Sequence, residues 1–140
     1  MKAVLDSNIA VKWVIPEADS KHALELRAAF KQGIHEFIAP DVFPIEVAHA
    51  LVRSERKNLV TDGQVHLANI LLSTPELFSS LPLLPRAYEI AAAMRCGVYD
   101  CLFVALAERE RCELVTADQK MISNLQKDFP FIVALASTLP

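Results

Sequence analysis

The sequence predicts an α/β fold, a three-layer α/β/α sandwich with a parallel five-stranded sheet in the middle. Short apolar runs of strand length alternate along the chain with longer segments whose apolar residues recur at helical spacing. The strand runs are apolar throughout rather than alternating, which is typical of parallel strands covered by helices on both faces. The chain has 140 residues, enough for one hydrophobic core, so we expect a single domain over residues 1–140.

The first half of the chain contains two predicted strands and four predicted helices. In chain order these are strand 2–5, helix 7–14, helix 19–32, strand 36–39, a helix from 41 to about 57 and a helix from 61 to about 73. Pro16 stops the first helix and Gly33 follows the second, because proline lacks an amide proton and glycine tolerates the left-handed backbone that often ends helices. Asp41 is the expected cap of the third helix, and Pro44 fits its first turn. The sequence Thr61-Asp62-Gly63-Gln64 fits a capping box for the fourth.

The second half continues the alternation and completes the sheet. We expect strand 77–81, helix 85–95, helix 98–111, strand 113–116, helix 118–127 and strand 131–135. Gly97 separates the two consecutive helices. Crossover connections between parallel strands are right-handed in nearly all proteins, which places strands two and three on one side of strand one and strands four and five on the other. The predicted strand order is therefore 3-2-1-4-5.

Composition and charge exclude several classes of protein. The formal net charge is −3, so the chain as a whole does not attract nucleic acid or an anionic membrane, and any RNA contact needs a local basic patch or a bridging cation. No apolar stretch approaches the roughly 18 residues of a membrane span, and no signal peptide precedes Asp6. The three cysteines have no CxxC spacing, so we expect free thiols in a soluble, cytoplasmic protein without a membrane partner.

Four acidic residues stand at strand ends or in apolar surroundings. Asp6 ends the first strand in "AVLDSNIAVKW", Glu46 lies in "VFPIEVAHALV", Asp100 lies in "CGVYDCLFVALAE", and Asp118 follows the fourth strand in "LVTAD". A buried carboxylate destabilises a fold unless a cation or hydrogen bonds compensate it, and few basic residues are near in sequence. In the predicted topology all four reach the carboxyl edge of the sheet, where open α/β sheets bind ligands at the switch point between strands one and four.

Clustered carboxylate oxygens favour a hard divalent cation, Mg²⁺ or Mn²⁺, and such an ion suits phosphodiester hydrolysis. The predicted metal ligands and catalytic residues are Asp6, Glu46, Asp100 and Asp118. Three polar neighbours are candidates for orienting these carboxylates or metal-bound water, namely Ser7, Asn8 and Thr116. Taken one at a time, each acid also fits an ordinary helix cap or a partner of the helix dipole, and the polar neighbours also fit turns.

These motifs resemble those of the PIN-domain ribonucleases, in particular the VapC-type toxins of toxin–antitoxin modules. The stretches that carry the resemblance are "VLDSN", "PIEVAHAL", "YDCLFVALAE" and "LVTAD", which occur in the family's order over nearly the whole chain. The resemblance implies a PIN-like nuclease domain in which Asp6, Glu46, Asp100 and Asp118 bind Mg²⁺ or Mn²⁺ for hydrolysis of RNA. It also implies a homodimer and a cognate antitoxin protein that blocks the site. Family members often have Thr at the position of Ser7, a departure that keeps the hydroxyl.

Two alternative functions use similar features. One is a cellular PIN-domain nuclease that processes RNA without an antitoxin, because such enzymes share the same acids. The other is a receiver-like phospho-acceptor signalling module, which also collects acids on a doubly wound sheet. That module would need an acceptor Asp after strand three and a Lys near the last strand, and "LFSSLPL" and "FIVALAST" contain neither.

Basic and apolar residues point to surfaces for partners. The candidate RNA-binding residues are Arg53, Arg56 and Lys57, and further basic candidates are Lys12, Arg86 and Arg95. Basic clusters of this kind are more often solvated faces than phosphate sites. Segment 42–52 is apolar nearly all round a helix, so one face covers the sheet and the rest needs neighbouring helices or a second subunit.

Overall fold

The structure is a computed structural model that describes residues 1–138. Five parallel strands form one sheet in the order β3-β2-β1-β4-β5, with β1 Lys2–Leu5, β2 Glu36–Pro40, β3 Glu76–Phe78, β4 Glu113–Thr116 and β5 Ile132–Ala134. Helices flank the sheet: α1 Ser7–Val11, α2 Ser20–Lys31, α3 Phe43–Arg56, α4 Gly63–Leu71, α5 Leu84–Met94, α6 Val98–Glu110 and α7 Gln119–Leu125. The predicted α/β architecture and strand order are confirmed.

The centre of the sheet carries the site because β1 lies between β2 and β4. Val4 pairs with Ile38 on one side and with Leu114 on the other. The pairing continues one residue past β1, since the Asp6 N–H donates to the Val115 carbonyl at 3.0 Å. Helix α6 packs on β1, β2 and β4 and is buried continuously over residues 101–107, so its first turn is held firmly at the carboxyl edge of the sheet.

Several predicted boundaries are too long. Helix α1 ends at Val11 rather than 14, and β5 covers only 132–134 of the predicted 131–135. The third strand occupies 76–78 instead of 77–81, and Leu81–Leu83 forms a 3₁₀ turn. The pairing with β2 ends at Pro40 and Phe78, and the Ser80 N–H donates to the Asp41 carboxylate instead of to a strand, which explains this correction.

Two predicted helix caps are wrong. No side chain caps α3, and the Asp41 carboxylate instead accepts a hydrogen bond from the Ser80 N–H at 3.2 Å. The predicted capping box at α4 does not form, since Asp62 takes a left-handed backbone conformation with a φ of 54° and its side chain makes no cap bond. The Gly63 N–H donates to Glu55 Oε1 at 3.1 Å instead. In both places a partner distant in sequence replaces the local cap.

The apolar helix α3 is covered on one face only. Phe43, Val47 and Leu51 recur at helical spacing and are buried in the core. Ile45 and Val52 lie on another face and are 68% and 43% exposed. Neighbouring helices of the same chain therefore leave these two side chains uncovered.

The helices and cysteines of the described residues bear on membranes and disulfides. No single helix there is long and apolar enough to cross a membrane, and only Leu81–Met94 with Val98–Glu110, bent by 118°, pass together by length and composition. Cys96, Cys101 and Cys112 are free thiols, as predicted.

Candidate active site

Asp6 is the most deeply buried of the four predicted acids, with 4% of its surface exposed. Its Oδ2 accepts a hydrogen bond from Thr116 Oγ1 at 2.7 Å, and its Oδ1 lies 3.5 Å from Ser7 Oγ, at the outer limit for such a bond. Burial raises the pKa of Asp6 to about 7, against the lowering effect of the Thr116 hydrogen bond. The nearby charges of Asp100 and Asp118 raise this pKa further.

Glu46 lies in the first turn of α3, close to Asp6. The Ser7 hydroxyl connects the two acids, because its Oγ is 3.5 Å from both Asp6 Oδ1 and Glu46 Oε1. Burial raises the pKa of Glu46 to about 7, and the charges of Asp6 and Asp100 add to the effect. The first turn of α3 favours a negative charge, while burial and the two neighbouring carboxylates disfavour it.

Asp100 and Asp118 form the second half of the group. Asp100 lies in the first turn of α6, where burial raises its pKa and the Asp118 charge raises it further. Asp118 caps α7, since its Oδ1 accepts hydrogen bonds from the Lys120 N–H at 3.0 Å and the Met121 N–H at 3.2 Å. The ordinary capping role thus holds for one oxygen of Asp118. The other oxygen, Oδ2, has no hydrogen bond within residues 1–138.

Thr116 and Asn8 fix the acids relative to one another. The Thr116 hydroxyl, which is fully buried, donates to Asp6 Oδ2 and accepts from the Asp118 N–H at 3.0 Å. Asn8 Nδ2 donates to the same hydroxyl oxygen at 3.4 Å, and Asn8 Oδ1 accepts from the Ala117 N–H at 3.2 Å. Through these bonds the end of β1 and the end of β4 hold Asp6 and Asp118 in a defined arrangement.

The donor set fits a hydrated divalent cation. None of the four acids forms an ion pair in the described part of the chain, although each of the three with a raised pKa feels the charge of another. Within those same residues, no three His, Cys, Asp or Glu side chains are close enough to enclose one ion as they stand. Mg²⁺ commonly binds through one or two carboxylates and keeps several waters. Carboxylates that repel one another and lack basic partners suit such an ion.

Some of the predicted basic residues lie beside the acids. A cavity of about 350 Å³, here named the Arg53 cavity, is lined by Asn8, Ala117, Arg53 and Lys57 among others. Two of the three predicted RNA-binding residues are therefore neighbours of the site. Arg56, the third, does not line this cavity.

A second, smaller cavity is lined by two of the acids. It measures about 130 Å³, is here named the Arg95 cavity, and is lined in part by Arg95, Asp100, Asp118, Lys120 and Asn124. Sequence reasoning missed Lys120 and Asn124, because exposed Lys and Asn residues on a helix usually face solvent. The one sequence signal was the position of Lys120, two residues after Asp118.

Two of the other basic candidates are already occupied by acidic partners. The Lys12 ammonium pairs with Glu17 and with Asp19. The Arg86 guanidinium pairs with Glu108, with Nε 2.8 Å from Oε1. Because acidic side chains of the same chain already balance the charges of Lys12 and Arg86, these two residues do not need an RNA phosphate as a partner.

With the geometry established, comparisons with known proteins give the family context. The model of a family described as "PIN domain" matches residues 3–127. Ribonuclease VapC3 from Pyrobaculum aerophilum is 30% identical over 139 residues, which cover 95% of this chain and 98% of that protein. The family match spans all four acids.

Solved structures share the fold. The crystal structure of PAE2754 from Pyrobaculum aerophilum has a TM-score of 0.71 at 16% identity, covering 98% of this chain and 85% of that chain. The crystal structure of VapBC2 from Rickettsia felis bound to a DNA fragment from their promoter has a TM-score of 0.61 at 22% identity, covering 96% of this chain and 97% of that chain. At such identities these structures establish a common architecture.

Proposed function

The chain belongs to the PIN-domain family, as a relative of the VapC ribonucleases, and from this membership we propose that it is an endoribonuclease that hydrolyses RNA phosphodiester bonds with Mg²⁺ or Mn²⁺. The observation that carries the proposal is a group of four carboxylates near one edge of the sheet, none of which forms an ion pair within residues 1–138. These residues are Asp6, Glu46, Asp100 and Asp118. Such a group destabilises the fold on its own, and a bound cation would remove that repulsion.

In this proposal the four acids hold the cation and the neighbouring hydroxyls keep the acids in place. A divalent cation bound there supplies charge neutralisation for the phosphodiester and a nucleophilic hydroxide at neutral pH. Thr116 keeps Asp6 Oδ2 engaged through its hydroxyl proton, while Ser7 makes only long contacts to Asp6 and Glu46. Asp118 uses Oδ1 for the cap of α7 and retains Oδ2 for the ion.

The Arg53 cavity is the proposed entry surface for RNA. Arg53 offers a planar fork of N–H donors that matches phosphate oxygens, and Lys57 offers a compact positive charge in the same cavity. Positive charge is needed here because the chain has a net charge of −3 and the acids themselves repel a polyanion. Contacts to phosphates position RNA without reading its sequence.

We also propose two protein partners. VapBC2 from Rickettsia felis and a toxin–antitoxin complex from Klebsiella pneumoniae share this fold, so we propose that a cognate antitoxin blocks the acid site of this chain and that the chain is the toxin of the pair. The exposed Ile45 and Val52 on α3 favour a homodimer, because a second copy would cover apolar surface that this chain leaves in water.

The ribonuclease proposal is tested with purified protein and RNA in Mg²⁺ or Mn²⁺. We expect the wild-type chain to cleave, and Asp6→Asn and Asp100→Asn to lose at least about 100-fold in rate. Asp128→Asn is the matched control, because Asp128 is an exposed acid outside the site. If both site variants cleave as fast as the control, the assignment of the acids is wrong.

The partner proposals need separate measurements. Ile45→Lys should convert a dimer into a monomer in sedimentation or light-scattering measurements, and Ile34→Lys, at an exposed residue that is not on α3, should not. A wild-type chain that is monomeric would contradict the homodimer. A short neighbouring reading frame for a DNA-binding protein that inhibits cleavage would distinguish the toxin from a cellular RNA-processing nuclease.

A further inference from the structure

We propose that the Arg95 cavity binds a phosphate group of the RNA substrate next to the phosphate that is cleaved. The residues that would bind it are Arg95, Lys120 and Asn124, beside Asp100 and Asp118. This inference rests on the proposed ribonuclease function and gives the substrate a second anchoring point, separate from the Arg53 cavity.

The first argument is charge. Within residues 1–138, neither the Arg95 guanidinium nor the Lys120 ammonium has a carboxylate within ion-pair distance, whereas Lys2, Lys12 and Arg86 each have at least one. The two cations therefore line the cavity without an ion pair to either of its two acids, Asp100 and Asp118. With those two carboxylates neutralised by the proposed cation, the net charge of the cavity would be positive, and positive charge attracts anions.

The second argument is size and donor chemistry. The cavity volume of about 130 Å³ is well below the roughly 300–1,000 Å³ of sites that enclose a drug-sized molecule, so it suits a single phosphate better than a whole nucleotide. Arg95 supplies a planar set of N–H donors, Lys120 supplies a point charge, and the Asn124 amide supplies a neutral donor. These are the groups that commonly bind phosphate oxygens of nucleic acids.

The third argument is position. Asp100 and Asp118 belong both to the acid group and to the wall of the Arg95 cavity. Ala117, the residue before Asp118, lines the Arg53 cavity. The two cavities therefore meet consecutive residues at the end of β4. In this proposal, a strand of RNA bound at the acids has one of its phosphates in the Arg95 cavity.

A nucleobase is a less suitable occupant. Sequence-tolerant binding of unpaired bases commonly relies on stacking against aromatic side chains. Within the described residues, no aromatic side chain lines the Arg95 cavity, whose remaining walls are formed by Cys96, Gly97, Met121 and Leu125. The phosphate is therefore the part of RNA that this cavity fits.

The salt dependence of RNA binding tests the proposal. Arg95→Gln/Lys120→Gln is compared with Lys31→Gln/Lys127→Gln, which removes the same charge from two exposed lysines away from the acids. All variants carry Asp6→Asn so that a short single-stranded RNA is bound without being cleaved. Loss of one phosphate contact should weaken binding about tenfold at low salt. It should also reduce the slope of log K against log salt by about 0.7. The control pair should change neither quantity.

Neutral linkages then locate the contact. In a series of RNAs that each carry one uncharged methylphosphonate, the protein with an intact Arg95 cavity should lose affinity when one particular phosphate near the cleavage position is replaced. The Arg95→Gln/Lys120→Gln variant should be insensitive to that one replacement and keep its sensitivity at all other positions. Circular dichroism melting curves establish that both variant pairs are folded.

The outcomes separate this proposal from the proposed function. A wild-type chain that neither binds nor cleaves RNA overturns the ribonuclease function, and this site with it. A wild-type chain that binds and cleaves RNA, together with equal slopes for the two variant pairs, overturns only the Arg95 phosphate site. The Arg95 phosphate site is also overturned if both variant pairs lose affinity for the same methylphosphonate RNAs.

Discussion

Arg27 and Asp6 are both almost completely buried, with 8% and 4% of their surface exposed, but their surroundings differ in kind. Arg27 donates from Nε to Ser73 Oγ at 3.0 Å, from Nη1 to Asn69 Oδ1 at 2.8 Å and from Nη2 to the Asn69 carbonyl at 2.7 Å. Its guanidinium also lies 4.7 Å from the centre of the Trp13 ring. Three of the five N–H donors of this cation thus have neutral acceptors, and the Trp13 ring faces it with π electrons.

Asp6 has fewer compensating contacts and like-charged neighbours. One of its oxygens is held by Thr116, the other has only the long contact to Ser7, and the charges of Asp100 and Asp118 act on it from nearby. Burial alone therefore does not identify a functional site. A buried charge with neutral hydrogen-bond partners supports the fold, whereas buried charges of one sign that lie close together are relieved only when a proton or a cation binds them.

The largest predicted effect is that of Asp6→Asn on cleavage. We expect the rate to fall by about 10³-fold or more, equivalent to about 4 kcal/mol, because the amide cannot supply the charge that holds the cation. The free energy of unfolding in a chelator should not decrease, since the amide oxygen can still accept the Thr116 proton and the repulsion is gone. Rate measurements and urea denaturation check both parts. A large loss of stability would mean that Asp6 supports the fold as Arg27 does.

The second prediction concerns Arg27→Met. Removing the guanidinium leaves Ser73 and two oxygen atoms of Asn69 without their donor, so the free energy of unfolding should fall by about 3 kcal/mol. The cleavage rate per folded molecule should remain that of the wild-type chain, because Arg27 lies outside the acid group. Urea denaturation and active-site-normalised rates measure the two quantities. Arg27→Lys, which keeps the charge and loses the planar fork, should be intermediate in stability. A folded Arg27→Met protein without activity would contradict the comparison.

The same contrast explains what could be predicted from sequence. Asp6 was predictable because a single carboxylate directly follows the apolar run of β1, and the strand order then brought Asp118 to the same edge. Arg27 was not, because an arginine inside the helical pattern of α2 is ordinary and its partners Asn69 and Ser73 are 42 and 46 residues away. Sequence patterns therefore predict a residue such as Asp6, whose adjacent residues already indicate its position, and do not predict one whose partners are distant in sequence.

The failed helix caps have the same cause. Asp41 has the sequence of a cap and instead accepts a hydrogen bond from Ser80, 39 residues further on. Gly63 follows an apparent cap and instead donates to Glu55 of the preceding helix. Sequence patterns give the preferences of each segment, and tertiary contacts decide among partners of similar strength.

The third prediction is that the free energy of unfolding depends on pH because of the buried acids and not because of Arg27. The pKa of Asp6 rises from 3.8 to about 7 on folding, so between these values the folded chain binds more protons than the unfolded chain. In a chelator, stability should therefore be complete below about pH 4 and decrease until about pH 7, by on the order of 2 kcal/mol between about pH 5 and pH 8. Urea denaturation at each pH measures the decrease.

Two controls identify its origin. Asp6→Asn should reduce the decrease without abolishing it, because the raised pKa values of Glu46 and Asp100 still contribute. Arg27→Lys should lower the stability at every pH without changing its dependence on pH. Millimolar Mg²⁺ should restore stability most strongly at the alkaline end, because a cation binds the ionised carboxylates and so stabilises the folded state. A stability that rises with pH in the chelator would contradict the raised pKa of Asp6.

The smallest predicted effect concerns Asp118, whose two carboxylate oxygens differ in the way that Arg27 and Asp6 differ. Oδ1 of Asp118 is satisfied by the Lys120 and Met121 N–H groups, as the guanidinium of Arg27 is by its acceptors, whereas Oδ2 has no hydrogen bond within residues 1–138. Asp118→Ala should lose the cap and about 1 kcal/mol of stability, while Asp118→Asn should keep most of it because the amide oxygen accepts the same two protons. Both variants should lose cleavage, since neither carries the charge. Equal stability of the two, measured by urea denaturation, would mean that the cap contributes nothing and that Asp118 is retained for the ligand alone.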